Sequence, residues 1–253
     1  MSSLVLAFPK RNQRARRKAR PFTVMTMDVL ANNSVVSYCR IDGRLIFLDV
    51  EKDLYFQLPE KLESRVLELL DGMEVTKRDL HALASHRIAS RETGELTVRS
   101  PVLAPPAIRS AMEGAPDARI SLKYASAVIA SVLTLSWWLK RRPLHEVLHM
   151  LDRRRTMLIN ANAHQKHLCV SAETAVAAAR IFERVRPYVP VTPKCLLDSL
   201  SLVHFLAKCG IQAKLVLAVA CDPFSAHAWA QYEEIVLNDT IGNTWNYVPI
   251  RVL

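Results

Sequence analysis

The 253-residue sequence contains no CxxC pair, no internal repeat and no apolar run long enough for a comfortable membrane span. Its five cysteines, Cys39, Cys169, Cys195, Cys209 and Cys221, are odd in number and scattered. That argues against a disulfide framework or a cysteine-rich zinc module, and a reducing cytoplasm fits best. A secretion signal is also missing, because the short apolar segment Met1 to Pro9 precedes the basic cluster instead of following it. Acid is absent from residues 1–20, which hold Lys10, Arg11, Arg14, Arg16, Arg17, Lys18 and Arg20, so seven of the ten net positive charges sit in one tail. Such a run reads as a solvated extension, not as a nucleic-acid surface. Half of the residues are apolar, enough for sizeable cores in one large or two modest domains.

Chemistry is most legible between Thr192 and Thr240. Thr192 fits an N-cap and Pro193 the first helical position, and Leu196, Leu197, Leu200, Val203 and Leu206 carry a helix that Gly210 ends. Cys195 then lies in the first turn, where free backbone N–H groups and the helix dipole favour a thiolate. Downstream, Ala226 to Tyr232 and Ile235 to Asp239 flank a turn near Glu233 and Glu234 and suggest a hairpin. With its centre on Glu233, His227 and Asp239 face one another with Cβ atoms roughly 5 Å apart. An aspartate on one imidazole nitrogen leaves the other for a nucleophile, the logic of a Cys-His-Asp triad.

This order of helix-start cysteine, strand, His-Ala-Trp, strand and Asn-Asp-Thr resembles the transglutaminase-like cysteine peptidase superfamily. More narrowly it is similar to the leader peptidases (B proteins) of lasso peptide biosynthesis, in KCLLDSLSL, GIQAKLVLAV and AHAWAQYEEIVLND. The resemblance implies Cys195 as nucleophile, His227 as proton carrier, Asp239 as orienting carboxylate and Trp229 as a substrate contact. The sequence departs from papain-like enzymes at Val189, where a glutamine often supplies an oxyanion donor, and at Leu196, where a tryptophan often follows the nucleophile. The backbone N–H of Cys195 is left as the one donor to name.

Earlier in the chain, VVSYCRI, the turn Asp42-Gly43, RLIFL, a charged turn DVEKD and LYFQL read as three strands. Pro59 opens a helix through Leu70 that Gly72 ends, and Thr76 with Asp79 suggests a second, capped helix carrying Leu80 and Leu83. Three strands followed by helices resemble the winged-helix-like leader-recognition element of pathways for ribosomally made, modified peptides. In that family a leader peptide adds a strand to a sheet edge, and Leu54, Tyr55, Phe56 and Leu58 are the candidates for that edge. Leu54, Phe56 and Leu58 alternate onto one face and equally suit a core. DNA binding is disfavoured because the second helix is not rich in Arg or Lys.

Four prolines and a glycine between Arg99 and Asp117 look like a linker, with the boundary near Pro105. Ala125 to Leu139 suits a buried helix, and Ala172 to Val185 an amphipathic one ending before Pro187. His145-Glu146-Val147-Leu148-His149 matches the HExxH zinc-peptidase pattern, but it follows Pro143 closely and no spaced third ligand is evident. We read it as an amphipathic helix, and His164, His167 and Cys169 as helix-connection residues.

The expected architecture is α+β: a basic tail (1–30), a winged-helix-like leader-recognition domain (31–100), a linker (101–117) and a papain/transglutaminase-like cysteine peptidase domain (118–253). The expected function is cleavage of a lasso peptide precursor at its leader–core junction, in the cytoplasm, without metal, cofactor, nucleic acid or membrane span. By resemblance the core then passes to an asparagine-synthetase-like lasso cyclase. A transglutaminase-type acyl transferase and a non-catalytic scaffold presenting the precursor remain the alternatives, since hydrolysis and aminolysis share one thioester.

Overall fold

The computed structural model describes residues 35–90, 95–98, 104–113, 120–163 and 171–253. The basic tail, Pro101 to Leu103 and the cluster His164, His167, Cys169 lie outside them. β1 (Val36–Ile41) and β2 (Arg44–Asp49) pair antiparallel around Asp42-Gly43, whose φ values of 49° and 86° are those of a tight hairpin turn. The Asp49 carboxylate accepts the N–H groups of Glu51 and Lys52 at 3.0 and 3.1 Å and turns the chain into β3 (Leu54–Phe56). The sheet order is β1-β2-β3. Next come α1 (Glu60–Leu70) and α2 (Lys77–Ser85), the latter capped by Thr76 Oγ1 accepting from Asp79 N–H. Buried Glu63 of α1 accepts from Arg44 Nε at 2.8 Å and from the Leu45 N–H, tying the helix to the hairpin.

This small sheet is covered on both faces. Leu45, Phe47, Phe56 and Leu58 pack with Val66, Leu83 and Ile88, whereas Cys39, Ile46 and Leu48 belong to the core built by the rest of the chain. The continuous apolar run Leu45 to Leu48 follows from that, because a strand buried on both sides has no solvent-facing positions to make polar. Arg251 donates to Ser37 Oγ at 2.9 Å and His145 N–H to the Val50 carbonyl at 3.2 Å, which fastens the sheet to the C-terminal half. The two halves therefore share a core and are not two pieces hung on a linker. Within the presumed linker, Arg109–Ser110 forms β4, a strand of the second sheet.

The C-terminal half starts with α3 (Leu122–Arg141), α4 (Leu144–Ala163) and α5 (Ala172–Val185), followed by a 3-10 turn at Arg186–Tyr188. Ser121 and Ser171 cap α3 and α5. α6 (Cys195–Lys208) is the central helix, buried at Leu197 and at every residue from Ser199 to Ala207. It ends in a Schellman motif: Gly210 has φ 78°, its N–H donates to the Ala207 carbonyl, and Ile211 N–H donates to the Leu206 carbonyl. β5 (Lys214–Cys221), β6 (Phe224–Tyr232), β7 (Ile235–Val236), the short α7 (Ile241–Thr244) and β8 (Val248–Val252) complete the chain. The second sheet runs β4-β7-β6-β5-β8. The fold is thus α+β. Among the described residues one helix, α3, is long and apolar enough to cross a membrane by length and composition, more than its 15-residue apolar run suggested. Val128, Val132, Leu135 and Trp138 instead plug into the core, leaving Ile129, Leu133 and Trp137 exposed.

Candidate active site

Cys195 is the first residue of α6, with Lys194 in the cap position and no side-chain cap. The expected start at Thr192-Pro193 is two residues early, and Arg186 explains the delay. This 5% exposed guanidinium donates to the carbonyls of Val189 (3.4 Å) and Val191 (2.9 Å) and to Asp198 Oδ1 (2.7 Å). One buried cation pins the segment before the nucleophile to the first turn after it. With no cap competing, the Leu196 N–H is free to point at the sulfur.

Burial resists ionisation of Cys195, but the hydrogen bond and charge of His227 and the N–H groups of Ala228 and Leu196 outweigh it, holding the thiol below its ordinary range. The other described cysteines go the opposite way. Burial pushes Cys39 up to about 12, Cys209 up to about 11, and Cys221 upward as well.

The hairpin that carries His227 has a different register from the expected one. Tyr232 pairs with Ile235 and Gln231 with Val236, so the turn is the two residues Glu233 and Glu234, with Glu233 at φ 50°. In that register Asp239 is no longer opposite His227, and a one-residue slip points a side chain to the wrong face. A bend corrects this: β7 stops at Val236, and the chain turns through Leu237 to Asp239. Asn238 takes over the ladder, its Oδ1 accepting the Ala230 N–H at 2.8 Å while its Nδ2 donates to Ser199 Oγ at 2.9 Å. Asp239 then meets His227 from outside the ladder, Oδ2 against Nε2. Nδ1 is left as the ring nitrogen for Cys195.

Further groups hold Asp239. Its Oδ1 accepts the Thr240 N–H and its Oδ2 accepts from Asn243 Nδ2, each at 2.7 Å, and its carbonyl accepts from Ser110 Oγ of β4. Burial alone pushes the carboxyl up, yet these bonds and His227 hold it below the usual range. Burial alone likewise lowers His227, yet Asp239 and Cys195 raise it to about 9. The imidazole lies 4.9 Å from the Tyr247 ring, centroid to centroid. Because β7 is so short, β6 keeps an open backbone edge beyond Ala230. The Ala228 N–H meets the sulfur there, and the Ala228 carbonyl accepts from Ser199 Oγ at 2.9 Å.

The structure brings Cys195, His227 and Asp239 together; the other candidates play different parts. Trp229, expected to touch substrate, is 4% exposed and donates its indole N–H to Gln231 Oε1 at 3.0 Å. It supports β6 from beneath and offers no surface. β3 is an edge strand of its sheet, but Phe56 and Leu58 are 6% and 2% exposed in the core, whereas Leu54 and Tyr55 are half-buried. His145 and His149 face a separate open groove of about 1310 Å³ that also takes in Val50, Arg155 and Lys214. Glu146, between them in sequence, is paired with Arg142 at 3.0 Å, and no group of three His, Cys, Asp or Glu among the described residues could hold a metal. Sequence reasoning missed Arg186, Ala228, Asn243 and Ser110, none of which has a local signal; Asn238 adjoins Asp239 and was within reach.

Residues 133–252, which contain Cys195, His227 and Asp239, match the family model of the transglutaminase-like superfamily, so a transglutaminase-like domain is found there. No curated protein and no solved structure matches the chain.

Proposed function

We propose that the transglutaminase-like domain at residues 133–252 makes this chain a cysteine peptidase that removes the leader of a lasso peptide precursor. The observation that carries the chemistry is His227, bonded at once to Asp239 and to a Cys195 thiol of lowered pKa. The thiolate attacks the carbonyl at the leader–core junction, and the imidazolium gives its proton to the departing amine. Water then hydrolyses the thioester with His227 as base. The free edge of β3 at Leu54 supports recognition of the leader by strand addition. Free thiols at all four described cysteines suit a reducing cytoplasm, and an asparagine-synthetase-like lasso cyclase is the proposed recipient of the core.

A second reading, acyl transfer from the same thioester to an amine, is favoured by the superfamily to which the domain is matched. Intact mass of a precursor co-expressed with the protein separates the two. Loss of the leader's mass supports the peptidase. A gain, or a loss the size of ammonia, supports the transferase, and an unchanged mass sinks both.

A further inference from the structure

Cys195 and Ser199 stand one turn apart on the same face of α6. Ser199 is wholly buried, and its hydroxyl makes two bonds, both of them leaving its own helix. It donates at 2.9 Å to the carbonyl of Ala228, the residue after His227. It accepts at 2.9 Å from Nδ2 of Asn238, the residue before Asp239. Asn238 closes the link by accepting the Ala230 N–H of β6 at 2.8 Å. One hydroxyl therefore joins the helix that carries the nucleophile, the strand that carries the imidazole and the turn that carries the carboxylate. Ser201, equally buried two residues on, does the ordinary thing for a serine inside a helix and donates at 2.7 Å to the Leu197 carbonyl of its own preceding turn.

α6 packs on β6 through apolar residues, among them Leu197, Leu200 and Ala228. Such contact is non-directional, so it presses helix on strand without fixing how far one slides along the other. A hydrogen bond does fix that, because it fails within a few tenths of an ångström and a few tens of degrees. Building on the cysteine chemistry above, we propose that Ser199 is a positioning residue for Cys195, His227 and Asp239: through Ala228 and Asn238 it sets where the imidazole meets the sulfur and where the carboxylate meets the imidazole. Ser199 touches none of the reacting atoms. Its loss leaves a buried carbonyl and a side-chain amide without their partner, and relief of that strain moves β6 and the Asp239 turn against α6. A misplacement of about 1 Å at a reacting pair costs up to about 10²-fold in rate.

The test sets Ser199→Ala beside Ser201→Ala in the full chain. Each removes one buried hydroxyl from the same helix, and only the first removes a bond to the segments bearing His227 and Asp239. In Ser199→Ala the p-nitrophenol burst from p-nitrophenyl acetate is expected to fall about 10- to 100-fold. The pH profile of Cys195 alkylation by iodoacetamide should move up at the same time, toward that of an ordinary thiol, because the imidazole no longer stands where it holds the thiolate. Ser201→Ala should keep the parent's burst and profile even where it melts as early as Ser199→Ala. Asn238→Ala cuts the same link from its other end and should shift the profile in the same direction; it decides the matter if Ser199→Ala does not fold. A burst and profile for Ser199→Ala no further from the parent than those of Ser201→Ala, or a parental profile for Asn238→Ala, overturn the proposal. The cysteine reading fails by a different sign, a parent-sized burst from Cys195→Ala.

Discussion

Replacing Asp239 by Asn keeps the side chain's shape and removes its charge from the imidazole. Moving His227 from its ordinary 6.5 to about 9 favours the imidazolium by about 3.4 kcal/mol. Asp239 and Cys195 supply this against burial, with Asp239 the larger contributor of the two. Removing it lowers the thiolate–imidazolium population, because the charge and the hydrogen bond that hold the proton on the ring are lost. An asparagine amide can also donate to Nε2 and fix the ring proton on Nδ1, facing the sulfur, the wrong tautomer for a base. Turnover is expected to fall about 10²- to 10⁴-fold.

The direct assay is the rate of Cys195 alkylation by iodoacetamide against pH, with Cys195→Ala as the blank for the other thiols. The parent should react well below the pH at which an ordinary thiol ionises, and lose its ion pair as pH rises through about 9, where His227 deprotonates. The Asp239→Asn midpoint should move up, toward that of an ordinary thiol. Glu183, raised to about 7 by burial and by the charges of Asp198 and Asp239, titrates in the same range and shifts with the substitution, so both proteins are compared in a Glu183→Gln background. Stability follows the same signs. The His227 contribution is complete below 6.5 and lost as pH rises through about 9; that of Asp239 is present above its ordinary value and lost in acid. A superimposable alkylation profile for Asp239→Asn refutes the reasoning.

Arg186→Ala leaves half-buried Asp198 without its cation and two carbonyls without their donor and should cost about 2–3 kcal/mol in calorimetry, with Arg186→Lys intermediate because an ammonium cannot hold two carbonyls and a carboxylate in one plane; melting within a degree of the parent contradicts it. Phe56→Asp places a carboxylate in a core where the ring stacks on Phe47 at 5.3 Å, so it should unfold the sheet. Leu54→Asp, at the half-buried edge, should leave circular dichroism intact and weaken leader binding in a titration. A fragment of residues 115–253 loses the sheet face bearing Cys39, Ile46 and Leu48, and is expected to bind a hydrophobic dye and melt without cooperativity; a sharp melting transition argues for independent halves after all.

What the sequence discloses is what is local. The Asp42-Gly43 hairpin, the Thr76 cap, the helix from Ala172 to Val185 and the Gly210 stop each follow from a few adjacent residues, and all stand in the structure. The meeting of Cys195, His227 and Asp239 was legible as a set, but not the route by which Asp239 arrives. That route depends on Glu233 accepting a left-handed conformation and on Asn238 replacing a ladder bond. Parallel pairing of β4 with β7 spans more than a hundred residues, and Arg109-Ser110 carries no strand pattern of its own. Prolines flanking it spoke for a linker. The unbroken apolar run of β2 was the one hint that the small sheet is covered twice, and Arg186 looked like an ordinary charge at a helix end until its three acceptors were in place.

A sheet whose two faces belong to different cores makes folding and recognition one thermodynamic account. Leu45 and Phe47 point into one core and Ile46 and Leu48 into the other, so β2 cannot melt without opening both. A peptide that adds a strand to β3 then protects the central helix and Cys195 as well as its own binding site, by about 2.7 kcal/mol at a hundredfold excess over its dissociation constant. Under the proposed function, a bound precursor would become a structural member of the protein that cuts it, and release of the leader would return the whole chain, nucleophile included, to its looser unliganded stability.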